Sequence, residues 1–228
     1  MALFPLAAGI VSGVFALVIL QGFLTRKGPH LLAWTIALGM FSTASLAAAR
    51  GISAGWGSGT YRTFYLLGAV INVPLLALGT IYVIGPRKAG HMAAVTVAAA
   101  CLYATGAVFS AEINERALGI RSAIPQAGNV MPAAVRSLSR FFSFSGLFIV
   151  VGGALWSAWR LSRTEDKDAQ VAGRLRRISA GNILIALGTF VVATASIFVR
   201  HGAGEVFSVG LLIGITTMFW GFVKTRSP

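Results

Sequence analysis

The chain has 228 residues, of which 56% are hydrophobic and 11% charged, with a mean hydropathy of +0.79. A soluble domain carries about 25% charged residues, so the composition excludes an ordinary soluble protein and points to an integral membrane protein. The formal net charge of +13 comes from 19 Lys and Arg against 6 Asp and Glu; these charges sit between apolar runs, so anionic lipid head groups, not nucleic acid, are the expected partner.

Seven apolar runs follow one another, at 3–24, 31–50, 62–84, 91–111, 143–161, 178–199 and 205–223. Each is near the ~20 residues that a helix needs to cross a bilayer. The expected fold is therefore all-α, a polytopic seven-helix bundle forming one domain over residues 1–228. The opening MALFPLAAG lacks the basic start of a signal peptide and reads as a retained first helix. Only four of the basic residues are Lys, and with abundant Ala and Gly this suggests a GC-rich bacterial genome and the bacterial plasma (inner) membrane.

Lys and Arg set the expected orientation. Twelve lie after runs one, three and five and at the C-terminus: Arg26, Lys27, Arg87, Lys88, Arg160, Arg163, Lys167, Arg174, Arg176, Arg177, Lys224 and Arg226. Seven lie on the other side: Arg50, Arg62, Arg116, Arg121, Arg136, Arg140 and Arg200. The N-terminus is expected outside and the C-terminus in the cytoplasm. The basic stretch 160–177 reads as a solvated, lipid-facing loop or as a docking site for a protein partner.

The third run is the least ordinary. Asn72 and Pro74 stand near its middle, an amide and a helix breaker that lipid penalises unless other helices cover them. Pro74 should free backbone carbonyls about one turn earlier, near Val70. The longest connection runs from 111 to 142. Glu112 and Arg116 are one turn apart, which predicts that run four continues as a helix to about Gly119. Asn129 as cap and Pro132 in a first turn predict an interfacial helix leading into run five. Trp56, Tyr61, Tyr65, Trp156, Trp159 and Trp220 lie near run ends and read as an aromatic belt. Gly9 and Gly13 are expected at a close helix contact, whereas Gly51 and Gly55 read as loop.

Three matches recur in the same order. SGVF at 12–15 pairs with SGLF at 145–148, and IALGMF at 36–41 with IALGTF at 185–190. The spacing of Gly68 and Gly79 is that of Gly210 and Gly221. They propose a parallel repeat of 3–84 and 143–223 joined by the helix 91–111, with a ligand site between the halves at mid-depth. Asn72, Thr216 and Thr217, with Ser42 and Thr189 at similar depth, are the candidate lining for a small neutral polar solute. Interhelical hydrogen bonding explains the same residues at ~0.6–2 kcal/mol each. Arg50, Arg62, Arg136, Arg140 and Arg200 could form an outer anion-attracting vestibule, or anchor the helices by snorkelling. Asn182 reads as a cap or an interhelix contact.

No Asp, Glu or Lys lies mid-run, which argues against a carboxylate proton relay. No catalytic motif or nucleophile–base pair is present, so no enzyme activity is expected. Cys101 is alone, and His30, His91 and His201 are far apart, so neither a metal nor a haem is expected.

Seven runs, an outside N-terminus and a three-plus-one-plus-three order resemble the layout of SWEET sugar transporters and of microbial rhodopsins. Retinal needs a Lys within the seventh helix, and 205–223 has none, so no cofactor is expected. YRxxYxxG at 61–68, PLLALGT at 74–80 and AGNILIALGT at 180–189 are similar to uncharacterised seven-pass bacterial membrane proteins. That resemblance implies fold and location. The residues support two functions, a facilitative small-solute transporter and a non-transporting sensor, scaffold or partner-binding subunit. Cys residues introduced within 164–170 should be modified only by reagents admitted to the cytoplasmic side; modification from outside would overturn the orientation.

Overall fold

The computed structural model describes residues 1–119, 124–163, 169–200 and 203–226. Arg121, the acids and Lys167 of 164–168, His201 and Gly202 lie outside the described residues, as does the side chain of Arg200. The fold is all-α, and seven helices are long and apolar enough to cross a membrane. Spans one and two are Leu3–Arg26 and Pro29–Ala54. Span three is Ser58–Ile84, and span four is Arg87–Ser110. Spans five, six and seven are Ala133–Ser162, Ala169–Arg200 and Gly204–Arg226. The chain is a multi-pass membrane protein.

Several helices run beyond the apolar stretches. Apolar content marks only the part of a helix that lipid surrounds, while good helix formers carry it into the interface. Span six thus begins at Ala169, and most of the basic stretch 160–177 is helix rather than loop. The expected interfacial helix is continuous with span five. Met131 is held extended before Pro132, and the helix restarts at Ala133; Asn129 lies inside the short helix Ala127–Val130 and caps nothing. Span four stops at Ser110, and Glu115–Leu118 is a separate 3-10 turn.

Spans one, two, three, five, six and seven pack in that order, and span seven closes back on span one. Span four lies outside this ring, against spans three and five. Only 11% of its apolar window is buried, against 44% in span two. We call the end that holds 111–119 and 124–132 the long-loop face and the opposite end the basic face. The core is continuous. Phe15 meets Phe219 and Phe222 at centroid distances of 5.0 and 5.2 Å, joining spans one and seven, and Val70 and Ile215 are fully buried in the same core.

Trp56, Tyr61 and Tyr65 are not part of a belt. They are buried with Phe64 and Phe207 at the long-loop end, Trp56 against Tyr61 at 5.7 Å and Phe64 against Phe207 at 6.4 Å. Gly51 explains the position of Trp56. It lies in helix two, and a Cβ there would sit 2.4 Å from the indole. Gly55 then turns the chain at φ +97°. Pro125, Ile124, Val130 and Met131 of the long connection cover this cluster and are themselves buried. Trp156, Trp159 and Trp220 are exposed towards the basic face.

The proposed repeat matches fare differently. Gly68 and Gly79 face Ala44 and Trp34 of span two, as Gly210 and Gly221 face Ala195 and Leu184 of span six. The other two pairs occupy unlike environments. Phe15 is 4% exposed and Phe148 75%; Leu38 is 3% exposed and Leu187 51%. Spans six and seven touch backbone to backbone: a Cβ on Gly188 would lie 2.5 Å from the Gly214 carbonyl oxygen, and one on Gly221 would lie 2.6 Å from that of Gly181. Backbone cannot yield as a side chain does. Gly188→Val should therefore cost about 1–3 kcal/mol or more, read as a lowered unfolding midpoint in detergent, whereas Gly152→Val, at an open position, should not.

Candidate functional site: the kink of span three

Span three contains a defect with an identifiable cause. Pro74 has no N–H to give, and its ring clashes with the carbonyl four residues earlier. The helix takes up an extra residue: the Ile71 N–H bonds the Leu66 carbonyl at 3.0 Å, an i to i−5 step, and Tyr65–Val70 is π-helical. The α-helix resumes at Asn72, with Leu75 N–H on the Ile71 carbonyl at 3.4 Å.

Other spans hold this joint in place. The Ala69 carbonyl accepts the hydroxyls of Ser139 and Ser143 of span five, at 2.8 and 3.0 Å. The Asn72 amide, 3% exposed, donates to the Ala37 carbonyl of span two at 2.6 Å. Further towards the basic face, the Trp34 indole donates to the Leu76 carbonyl at 3.1 Å. Towards the long-loop face, the Tyr61 hydroxyl donates to the Pro125 carbonyl at 3.3 Å. Arg62 donates through Nη1 to the carbonyls of Val108 and Phe109, and through Nη2 to Ala111. These carbonyls end span four, where a helix leaves acceptors unpaired and carries partial negative charge. The guanidinium is thus a C-terminal cap supplied by another helix, and it marks where span four stops.

The structure does not bring the other candidate residues to Asn72. Ser42 donates to the Gly9 carbonyl of span one at 2.7 Å, and a Cβ on Gly13 would lie 3.2 Å from its oxygen, so Gly9 and Gly13 form the close contact of spans one and two. Ser12 returns a bond to Leu38 at 2.9 Å. Thr189 is buried and bonds its own helix at Ile185, 2.8 Å. Thr217 bonds Ile213 at 2.7 Å, and Thr216 is exposed. Ile215 is the residue of that turn that points inward, and a helix turns ~100° per residue. Asn182 joins spans six and five through Ser157 Oγ at 2.9 Å.

The arginines are dispersed in role. Arg62 is committed to backbone, Arg50 and Arg140 are exposed, and Arg136 lies near Gly128 with its Nε buried and unbonded. Two open grooves lie between spans four and five, one of about 320 Å³ beside Tyr103, Leu138 and Phe141. No group of three His, Cys, Asp or Glu that could hold a metal occurs among the described residues.

Ser139 and Ser143 carry no sequence signal beyond their i, i+4 spacing. Compared with known proteins, the chain matches no family model, no curated protein sequence and no solved structure. The paired hydroxyls on Ala69 make a specific prediction. Either serine alone still satisfies the carbonyl, so Ser139→Ala or Ser143→Ala should cost little, while the double variant should cost about 1–3 kcal/mol. Unfolding of all three variants in mixed detergent would measure the non-additivity.

Proposed function

We propose that the chain is a non-transporting membrane subunit, a scaffold or sensor that works through a partner, and that its kinked third span is an internal brace. The observation that carries this reading is the bond from Asn72 to Ala37, buried at mid-depth. One N–H of this amide is spent on joining spans two and three, as a brace requires. The bundle core, to which Phe15, Val70, Ile215 and Met218 belong, is continuous and apolar. The hydroxyls proposed as companions of Asn72 bond their own or adjacent helices.

A membrane partner would find its surface on spans four to six, which bury least of their apolar windows, at 11%, 22% and 22%. Exposed Leu102, Tyr103, Phe141 and Phe148 lie there. The proposal places the protein in a bacterial plasma membrane, N-terminus outside, by its distribution of Lys and Arg.

Facilitated transport is the second reading, and one observation favours it. A π-helical segment next to a proline is a joint at which a helix can bend, and it lies where spans three and five meet. The arrangement of spans one to three and five to seven in one closed ring fits a duplicated origin for either function. Flux separates the two. In proteoliposomes the wild type and Asn72→Leu should both pass a broad panel of small solutes no faster than protein-free vesicles; flux present in the wild type and lost in Asn72→Leu would establish transport instead.

A further inference from the structure

We propose that the basic-face rim of spans five, six and seven is a binding surface for the head groups of anionic phospholipids. The surface begins with three exposed indoles at one depth. Trp156 and Trp159 of span five are paired, with ring centroids 5.1 Å apart. Ser179 donates to the Ala158 carbonyl at 3.0 Å and Asn182 to Ser157 Oγ at 2.9 Å, so residues 179–182 of span six are level with these rings. Gly181 of the same turn packs on Gly221 and Thr225 of span seven, which brings Trp220 to that depth. All three rings are about half exposed or more. Indoles gathered at one level are the mark of a bilayer's polar–apolar boundary.

Cations lie on the outward side of that level. The Arg163 guanidinium stands over the Trp159 ring at 4.5 Å, and the Lys224 ammonium over Trp220 at 5.8 Å. Stacking fixes each cation laterally and leaves its N–H donors for phosphate oxygens. Arg174, Arg176 and Arg177 are exposed on the first turns of span six, and at 1.5 Å per residue Arg177 is about 7.5 Å beyond Asn182. That distance reaches the phosphate layer, which with the interface adds roughly 5–8 Å to each side of the hydrocarbon. The sequence of layers is apolar side chains, indoles, then cations, in the order of acyl chains, glycerol region and phosphates. Glu165, Asp166 and Asp168 lie outside the described residues.

The first half of the chain has cations at this face but no such surface. Arg26, Lys27, Arg87 and Lys88 are present, yet the tryptophan on that side, Trp34, turns inward to the Leu76 carbonyl. The surface is therefore one-sided, and anionic lipid should collect around spans five to seven in preference to spans one to three.

The full chain in phosphatidylcholine vesicles doped with brominated phosphatidylglycerol provides the test, with the same fraction of brominated phosphatidylcholine as reference. Tryptophan fluorescence of the wild type should be quenched more by the anionic lipid. Arg163→Gln with Lys224→Gln should sharply reduce that excess, each of the two cations contributing a factor of about five in local enrichment, the ratio equivalent to ~1 kcal/mol per surface cation. Arg26→Gln with Lys27→Gln should keep it. Equal quenching of the wild type by the two brominated lipids, or equal loss in both double variants, would overturn the proposal.

Discussion

The third span is shaped by one missing hydrogen. Pro74 cannot donate to the helix behind it, and hydrocarbon offers no water to take the place of the lost bond. The chain answers with a π-helical turn and with two serine hydroxyls from span five on Ala69, while the span's own Asn72 amide reaches out to the Ala37 carbonyl of span two. The repair is what gives span three its place. Through it span three is bonded to spans two and five, and through Tyr61 and Arg62 it is bonded to the long connection and to span four.

Span four shows the consequence most clearly. It is outside the ring and buries little of itself, and lipid supplies no hydrophobic drive to hold it there. A charge-assisted cap on its final carbonyls, of a kind worth about twice a neutral hydrogen bond, is therefore a larger part of its attachment than the same contact would be in a soluble core. The glycine pairs of spans six and seven solve the same problem by close packing, with backbones in direct contact where side chains would keep them apart. Both halves combine the two means: Gly9 and Gly13 sit beside the Ser42 and Ser12 bonds of spans one and two, and the glycine contacts of spans six and seven sit beside the bonds of Ser179 and Asn182 to span five.

The sequence made the number of crossings and the centre of the structure legible, because both rest on single-chain chemistry. Asn72 and Pro74 are anomalies in any apolar run, and their consequences, a displaced carbonyl and a buried amide, follow from bond counting. What stayed hidden depended on rotation and on distant partners. Thr216 and Ile215 are neighbours, yet one faces out and the other in. A matched glycine spacing lacks the angular precision to choose between them. Arg62 reads as a snorkelling anchor because its acceptors come 46 or more residues later. Trp56 reads as a belt residue because Gly51, which makes room for it, reads as loop. Ser139 is indistinguishable in sequence from Ser145, which bonds its own helix at Phe141.

The central claim is that Asn72 is a brace, buried in the bundle and bonded to span two. Thiol accessibility at that position tests it most directly. In Cys101→Ala chains carrying Asn72→Cys, a small charged, membrane-impermeant thiol reagent applied in turn to each side of sealed vesicles should leave the thiol unmodified, while the same thiol should react fully after denaturation. Modification in the folded protein from either side would reveal an aqueous path to the kink and contradict the account.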